Sequence, residues 1–190
     1  MSIILILLAA GDGKRLKSNI PKPYVKVNNK TLLEYSLNCF ENISQIKKIM
    51  IVYNKKHKKH LNKIKFNKKI IKIYGGRTRQ ESTFKALKFI KKMNCKKVLI
   101  HDVARPNLSK KLIKEIINKL NHNHAVVPII KTNDATKRYK KNLIFKNIQR
   151  GTLGFSQTPQ GFTFAKIYKK HVKNMDQTFD DDSALFTNNE

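Results

Sequence analysis

The aliphatic run Ile3–Leu8 leads straight into Ala9-Ala10-Gly11-Asp12-Gly13-Lys14-Arg15, and the segment closes on Pro21-Lys22-Pro23. An apolar run of that length bounded by glycine reads as a buried strand. Gly11 and Gly13 allow close approach to a ligand and backbone angles that other residues avoid. Arg15 and Lys22 add two positive charges within reach of the turn. A strand, a turn with free N–H groups and two cations together suit a polyphosphate. No Gly-Lys-Ser/Thr closes the loop, so it is not a P-loop, and a third glycine is missing for a dinucleotide fingerprint. Gly-x-Gly alone is also compatible with a plain tight turn.

Beyond this turn, strand and helix patterns alternate. Thr31–Phe40 has helical spacing, with Thr31 and Glu34 placed for a capping box. Lys48–Tyr53 reads as a strand, and His57–Ile64 as a short, basic surface helix. Ile70–Tyr74 is a strand running into Gly75-Gly76. Arg79–Met93 is helical, Lys97–His101 a strand, Lys110–Leu120 a helix and Ala125–Ile130 a strand. Lys166–His171 resumes as helix. Short, β-branched apolar strands separated by helices predict an α/β fold: a mostly parallel sheet covered on both faces. Residues 132–150 break the pattern. Two β-like pieces, Ala135–Tyr139 and Leu143–Ile148, predict a projecting β-arm, either a solvated excursion or a dimer clasp.

At 190 residues the chain is expected to be a single domain, 1–190. No apolar stretch reaches the length of a membrane span. The opening lacks the basic n-region of a signal peptide. Cys39 and Cys95 have no metal-ligand spacing and are expected to be reduced, as in the cytoplasm. The formal net charge of +29 would suit nucleic acid. However, the lysines are spread along the chain, densest at Lys55-Lys56-His57-Lys58-Lys59-His60. A coding bias towards Lys, Asn and Ile gives the same picture, and no RNA-binding aromatic motif accompanies them.

Four loops are predicted at the carboxyl ends of strands, where open α/β sheets bind ligands. They are Gly11–Lys22, Gly75–Ser82, His101–Pro106 and Gln157–Phe162. Asp102 is the candidate Mg²⁺ ligand, since Mg²⁺ takes one or two carboxylates and completes its shell with phosphate and water. Its other reading is a carboxylate that caps its loop or pairs with Arg105. His101 is either a general base or a satisfied strand-end histidine. Asp180-Asp181-Asp182 is either a further ligand set or an acidic helix start.

Ala-Ala-Gly-x-Gly-x-Arg, Pro-Lys, Gly-Gly-x-x-Arg-x-x-Ser, His-Asp-x-Ala-Arg-Pro, Gln-Thr-Pro-Gln-x-Phe and a late Asp-Asp-x-Ser-Ala-like stretch occur here in that order, from residue 3 to residue 185. This set resembles the 2-C-methyl-D-erythritol 4-phosphate cytidylyltransferase family of the non-mevalonate isoprenoid pathway. The resemblance implies a Rossmann-like three-layer αβα nucleotidyltransferase fold, and CMP transfer from CTP to methylerythritol phosphate with release of pyrophosphate. It implies that Arg15 and Lys22 stabilise the transition state and that Ala9, Ala10, Gly11 and Gly13 line the nucleotide. Gly76, Arg79 and Ser82 would select cytosine, and Asp102 would hold Mg²⁺. Ala104, Arg105 and Thr158 would border the sugar-phosphate. Arg150 would reach methylerythritol phosphate across a homodimer built through the arm.

There are departures from the pattern. Arg77 stands where the family often has an acidic or small residue. Ala135 replaces a threonine expected to touch the substrate phosphate, with Thr136 one residue away. The family's final strand and Asn-x-Lys-x-Thr segment are missing, so the resemblance implies a fragment, as of a fusion with a cyclodiphosphate synthase. Two alternatives stand beside this reading: a ribitol-5-phosphate cytidylyltransferase, which tends to carry Val-Arg-Pro-Phe in the third loop, and a non-catalytic, basic nucleic-acid binder on the same fold.

Overall fold

The computed structural model describes residues 2–13, 16, 18–66 and 70–186. Its strands are β1 (Ile3–Ala9), β2 (Lys26–Val27), β3 (Lys30–Thr31), β4 (Ile46–Tyr53), β5 (Ile70–Tyr74), β6 (Lys97–Asp102), β7 (Ala125–Val126), β8 (Ile129–Lys131), β9 (Thr136–Lys140), β10 (Leu143–Ile148), β11 (Gly154–Ser156) and β12 (Gln160–Thr163). The helices are α1 (Leu32–Phe40), α2 (Lys58–Asn62), α3 (Arg79–Ile90), α4 (Lys110–Lys119) and α5 (Phe164–Lys173).

Six strands form the central sheet in the order β5-β4-β1-β6-β12-β7. β4, β1, β6 and β5 run parallel, and β12 runs antiparallel to both of its neighbours. Side chains alternate along β1. Ile3, Leu5, Leu7 and Ala9 join Leu33 and Phe40 of α1 and Ile113, Ile116 and Ile117 of α4 on one face. Ile4 and Ile6 join Ala86, Leu87 and Ile90 of α3 and Ile167 of α5 on the other. A strand covered on both faces must be apolar at every position, which is why Ile3–Leu8 shows no alternation. The result is the expected three-layer αβα arrangement with a mostly parallel sheet.

Local chemistry sets the element boundaries. At the start of α1 the Thr31 hydroxyl accepts from Glu34 N at 3.2 Å, and Glu34 accepts from Thr31 N at 2.7 Å, closing the expected capping box. Asn28 and Asn29, with φ of 45° and 65°, make the tight β2–β3 hairpin that periodicity alone passes over.

Three expectations need correction. Ala125–Ile130 is not one strand. β7 stays in the sheet while β8 leaves it to pair with β11, because Pro128 between them has no N–H for the ladder. The Gln157–Phe162 segment follows a strand, but β11 lies outside the central sheet. The segment enters the antiparallel β12, and the register Gln160↔Ile100 still delivers it to the carboxyl end of β6. The helix expected at His57–Ile64 is not wholly a surface feature, since His57, Leu61 and Ile64 are buried.

The arm is present as the antiparallel hairpin β9–β10, turning through Lys141 and Asn142 at positive φ. Tyr139, Leu143, Ile144 and Phe145 on it are between 64% and 73% exposed.

Candidate active site

The loops after β1, β5 and β6 enclose a cleft of about 520 Å³ lined by Leu8, Ala10, Gly11, Gly13, Lys22, Pro23, Gly76, Arg77, Thr78, Arg79, Ser82, Asp102, Ala104 and Arg105. Two glycines set how closely the loops pack. Gly13 sits at φ +67°, and a Cβ there would come 2.5 Å from the Cβ of Lys22. A Cβ on Gly75 would come 2.7 Å from that of Ala10 and 2.9 Å from the Ser82 hydroxyl. Larger residues would therefore push apart the walls that hold a ligand.

Thr78 caps α3 by accepting from Glu81 N at 3.0 Å, and so the helix N-terminus opens onto the cleft. Its partial positive charge adds to the cationic lining. Behind it, Ser82 is buried, accepts from Gly76 N at 2.9 Å and donates to Thr78 O at 2.8 Å. With its proton committed to Thr78, the hydroxyl can only accept a further hydrogen bond.

Arg79 is held by two carboxylates. Its Nε donates to Asp102 Oδ1 at 3.1 Å and its Nη1 to Asp182 Oδ2 at 2.6 Å. Asp182 is itself buried, and its Oδ1 meets His171 Nε2 at 3.0 Å. Burial alone would raise the Asp182 pKa, but the His171 hydrogen bond and the Arg79 charge outweigh it and hold the carboxyl below its usual range. This chain of contacts joins α5 and the end of the described chain to the cleft wall. Nothing local in the sequence points to it, because its members are far apart.

Among the described residues Asp102 is the one acidic residue lining the cleft, and Arg105 Nε lies 3.6 Å from its Oδ2. The contact with Arg105 bears out the reading of Asp102 as its partner. Arg79 holds one oxygen closely, and the looser Arg105 contact leaves the other able to take a cation. Among the described residues no group of three or more His, Cys, Asp or Glu side chains is arranged as a metal cage. A single carboxylate fits Mg²⁺ that is held mainly by phosphate oxygens and water.

Ten of the expected site residues line this cleft: Ala10, Gly11, Gly13, Lys22, Gly76, Arg79, Ser82, Asp102, Ala104 and Arg105. Ala9 does not, being fully buried as the last residue of β1. Thr158 is buried behind the wall, where its hydroxyl accepts from Asp102 N at 3.2 Å and meets His101 Nδ1 at 3.0 Å. Arg150 is exposed just past the arm and does not line the cleft. Arg15 lies outside the described residues. His101 is fully buried, and burial pushes its pKa down to about 4, so it is a neutral core residue with no face on the cleft. Asp181 serves as N-cap of the 3₁₀ turn at 182–185, accepting from Ala184 N at 3.1 Å, and Asp182 is bound to Arg79. Neither lines the cleft. Leu8, Pro23 and Thr78 are lining residues that motif reading passed over, although Thr78-x-x-Glu81 is a legible capping pattern.

The sequence model of the family described as 2-C-methyl-D-erythritol 4-phosphate cytidylyltransferase (IspD) matches residues 3–188. The chain belongs to this family. It is 41% identical over 186 residues to the bifunctional enzyme IspD/IspF of Pelagibacter ubique (strain HTCC1062), covering 98% of this chain and 49% of that protein. It is 39% identical over 163 residues to the 2-C-methyl-D-erythritol 4-phosphate cytidylyltransferase of Wigglesworthia glossinidia brevipalpis, covering 84% of this chain and 70% of that one. Among solved structures, the 4-diphosphocytidyl-2C-methyl-D-erythritol synthase of Anaerococcus prevotii superposes with a TM-score of 0.81 at 33% identity, covering 97% of this chain and 81% of that one. The bifunctional IspDF of Campylobacter jejuni also gives 0.81, at 29% identity, over 97% of this chain and 46% of its own. The chain thus spans about half the length of its bifunctional relatives.

Proposed function

We propose that this chain transfers CMP from CTP to 2-C-methyl-D-erythritol 4-phosphate, giving 4-diphosphocytidyl-2-C-methyl-D-erythritol and pyrophosphate. The observation that carries the reading is the meeting of four parts in one cleft: the glycine loop with Lys22, the α3 N-terminus, the acceptor-only Ser82, and the Asp102–Arg105 pair.

Each part has a task in that reaction. A phosphate oxygen of the acceptor attacks the α-phosphorus of CTP, and the bond to the β-phosphate breaks. Negative charge builds on the equatorial oxygens, so the protein's task is positioning and charge stabilisation. Lys22, packed against Gly13, stands where the triphosphate would cross the loop. Arg15 shares that role by resemblance. Ser82 presents a lone pair, which suits the amino group of cytosine and repels the carbonyl that uracil has in its place. Arg105, 45% exposed at the side chain and held by Asp102 and Gln157, would turn its guanidinium to the acceptor's phosphate. Asp102 would hold Mg²⁺, which would supply positive charge against the developing negative charge of the phosphates.

The reading includes a homodimer through β9–β10, in which Arg150 of one subunit reaches the acceptor in the other. Its support is the set of large apolar side chains exposed on the arm, Tyr139, Leu143, Ile144 and Phe145. It also includes the cytoplasm as location, in keeping with the free thiols Cys39 and Cys95. Among the described residues no helix is long and apolar enough to cross a membrane.

The test is pyrophosphate release from CTP and Mg²⁺, with methylerythritol phosphate and ribitol 5-phosphate offered in parallel. Release with methylerythritol phosphate is expected. Release only with ribitol 5-phosphate overturns the choice of acceptor. Release with neither, while RNA binding falls steeply with salt, overturns the enzymatic reading.

A further inference from the structure

His57 belongs to the most basic run of the chain, yet its side chain points away from solvent. It is 7% exposed, between lysines that are all exposed. Its Nε2 lies 3.1 Å from Asp12 Oδ1, and Asn54 Nδ2 donates to the same oxygen at 3.2 Å. Asp12 is the residue between Gly11 and Gly13. On another side, the Tyr24 ring meets His57 edge-on at 5.9 Å between centroids and stacks on His60 at 5.4 Å. Tyr24 ends the 3₁₀ turn Lys22–Tyr24 and is 4% exposed. One imidazole therefore touches both segments that frame the phosphate side of the cleft.

From this geometry we infer that His57 is a positioning residue, a clamp that fixes the Gly11–Gly13 loop relative to the Lys22 turn before nucleotide arrives. The inference rests on the proposed reading for its purpose, but not for its structural content. A glycine-flanked loop has wide conformational freedom and must otherwise be ordered by the ligand, at the expense of affinity. Asp12 offers the loop's only side-chain handle, since its neighbours have none. A carboxylate only accepts, so Nε2 carries the proton. Burial, the largest influence, pushes the His57 pKa below its usual value despite Asp12, and the neighbouring Lys56 and His60 push the same way. The ring is then neutral at pH 7, and its Nδ1 is a bare lone pair. That agrees with Nδ1 being buried without a hydrogen-bond partner among the described residues. A neutral donor steadies Asp12 without relying on the triphosphate's charge.

The clamp is tested first on the ligand-free protein by ¹⁵N relaxation of the Gly11, Asp12 and Gly13 amides. His57→Phe keeps a ring against Tyr24 but cannot donate, and Asp12→Ala removes the acceptor. Each is expected to lower the order parameters from about 0.85 to below about 0.6. The double variant should be no more mobile than Asp12→Ala, which already removes the His57 bond together with that from Asn54. His57→Gln, which can still donate, should stay near wild type. Unchanged order parameters in Asp12→Ala, or additive effects in the double variant, overturn the clamp. Asp12 is half-exposed, so its variant remains informative even where His57→Phe folds poorly. In steady-state assays His57→Phe should raise KM for CTP about 5- to 10-fold, the size of one lost hydrogen bond, with kcat within about twofold. A wild-type protein that does not bind CTP refutes the proposed function and leaves the relaxation result to decide the clamp.

Discussion

Replacing Asp182 by Asn tests the buried chain of charge behind the cleft. The carboxylate is 2% exposed and receives Arg79 Nη1 at 2.6 Å and His171 Nε2 at 3.0 Å. Removing one member of a buried ion pair typically destabilises by about 3–5 kcal/mol, because the other charge is left without its partner. Two features here reduce that figure. Arg79 keeps Asp102 and is 26% exposed at the side chain, and the Asn amide oxygen can still accept one of the two bonds. We expect a loss of about 2–4 kcal/mol, read by urea denaturation at pH 7. For a domain of this size, 3 kcal/mol corresponds to a fall in Tm of about 6–12 °C. The pH dependence supplies the control. The folded-state pKa of Asp182 is depressed below that of the unfolded chain. Its contribution is therefore present above the unfolded value, near pH 4, and is lost as pH falls through the folded value. The gap between wild type and variant should close in that acid range. Asp180→Asn, at an exposed neighbour, should shift stability by less than about 0.5 kcal/mol. A loss below about 0.5 kcal/mol for Asp182→Asn at pH 7, or one equal at pH 3 and pH 7, would refute the argument.

Three further outcomes can be checked directly. Lys22→Ala should lower kcat by about 10²–10³ while calorimetry finds CTP affinity within about threefold, since its charge acts mainly on the transition state. Ser82→Ala should weaken discrimination between CTP and UTP by about tenfold in kcat/KM, and destabilise by about 1–2 kcal/mol by stranding the Gly76 N–H. Ile144→Lys should lower the self-association constant at least tenfold by sedimentation without changing the monomer's fold, because the side chain is 64% exposed and pairs only with Tyr139 across the hairpin.

Much of this was legible from local pattern. Unbroken apolar runs such as Ile3–Leu8 announce a two-faced parallel sheet. Thr31 and Glu34 announce the start of a helix, and the glycine loops mark the cleft at the strand ends. What escaped was set by contacts distant in sequence. β12 reads Gln-Gly-Phe-Thr, with little strand character, and becomes a strand because Gly161 fits under Ile116, Leu120 and Leu99, where a Cβ would lie 3.0–3.3 Å from each. His57 looked like one more polar residue in a lysine run. Its inward turn follows the spacing His57, Leu61, Ile64, a one-sided stripe visible only once the lysines are discounted. The Arg79–Asp182–His171 chain leaves no local trace, because its residues are neighbours only in the folded molecule.

The placement of β12 between β6 and β7 has a consequence for the arm. The arm's root strands β8 and β11 run directly into β7 and β12, two adjacent members of the central sheet. The hairpin therefore grows from the edge strand β7 and its neighbour β12. From β11 the chain passes to Thr158, whose hydroxyl accepts a hydrogen bond from the backbone N–H of Asp102. One continuous stretch of backbone thus links the root of the arm to the Asp102 wall of the cleft.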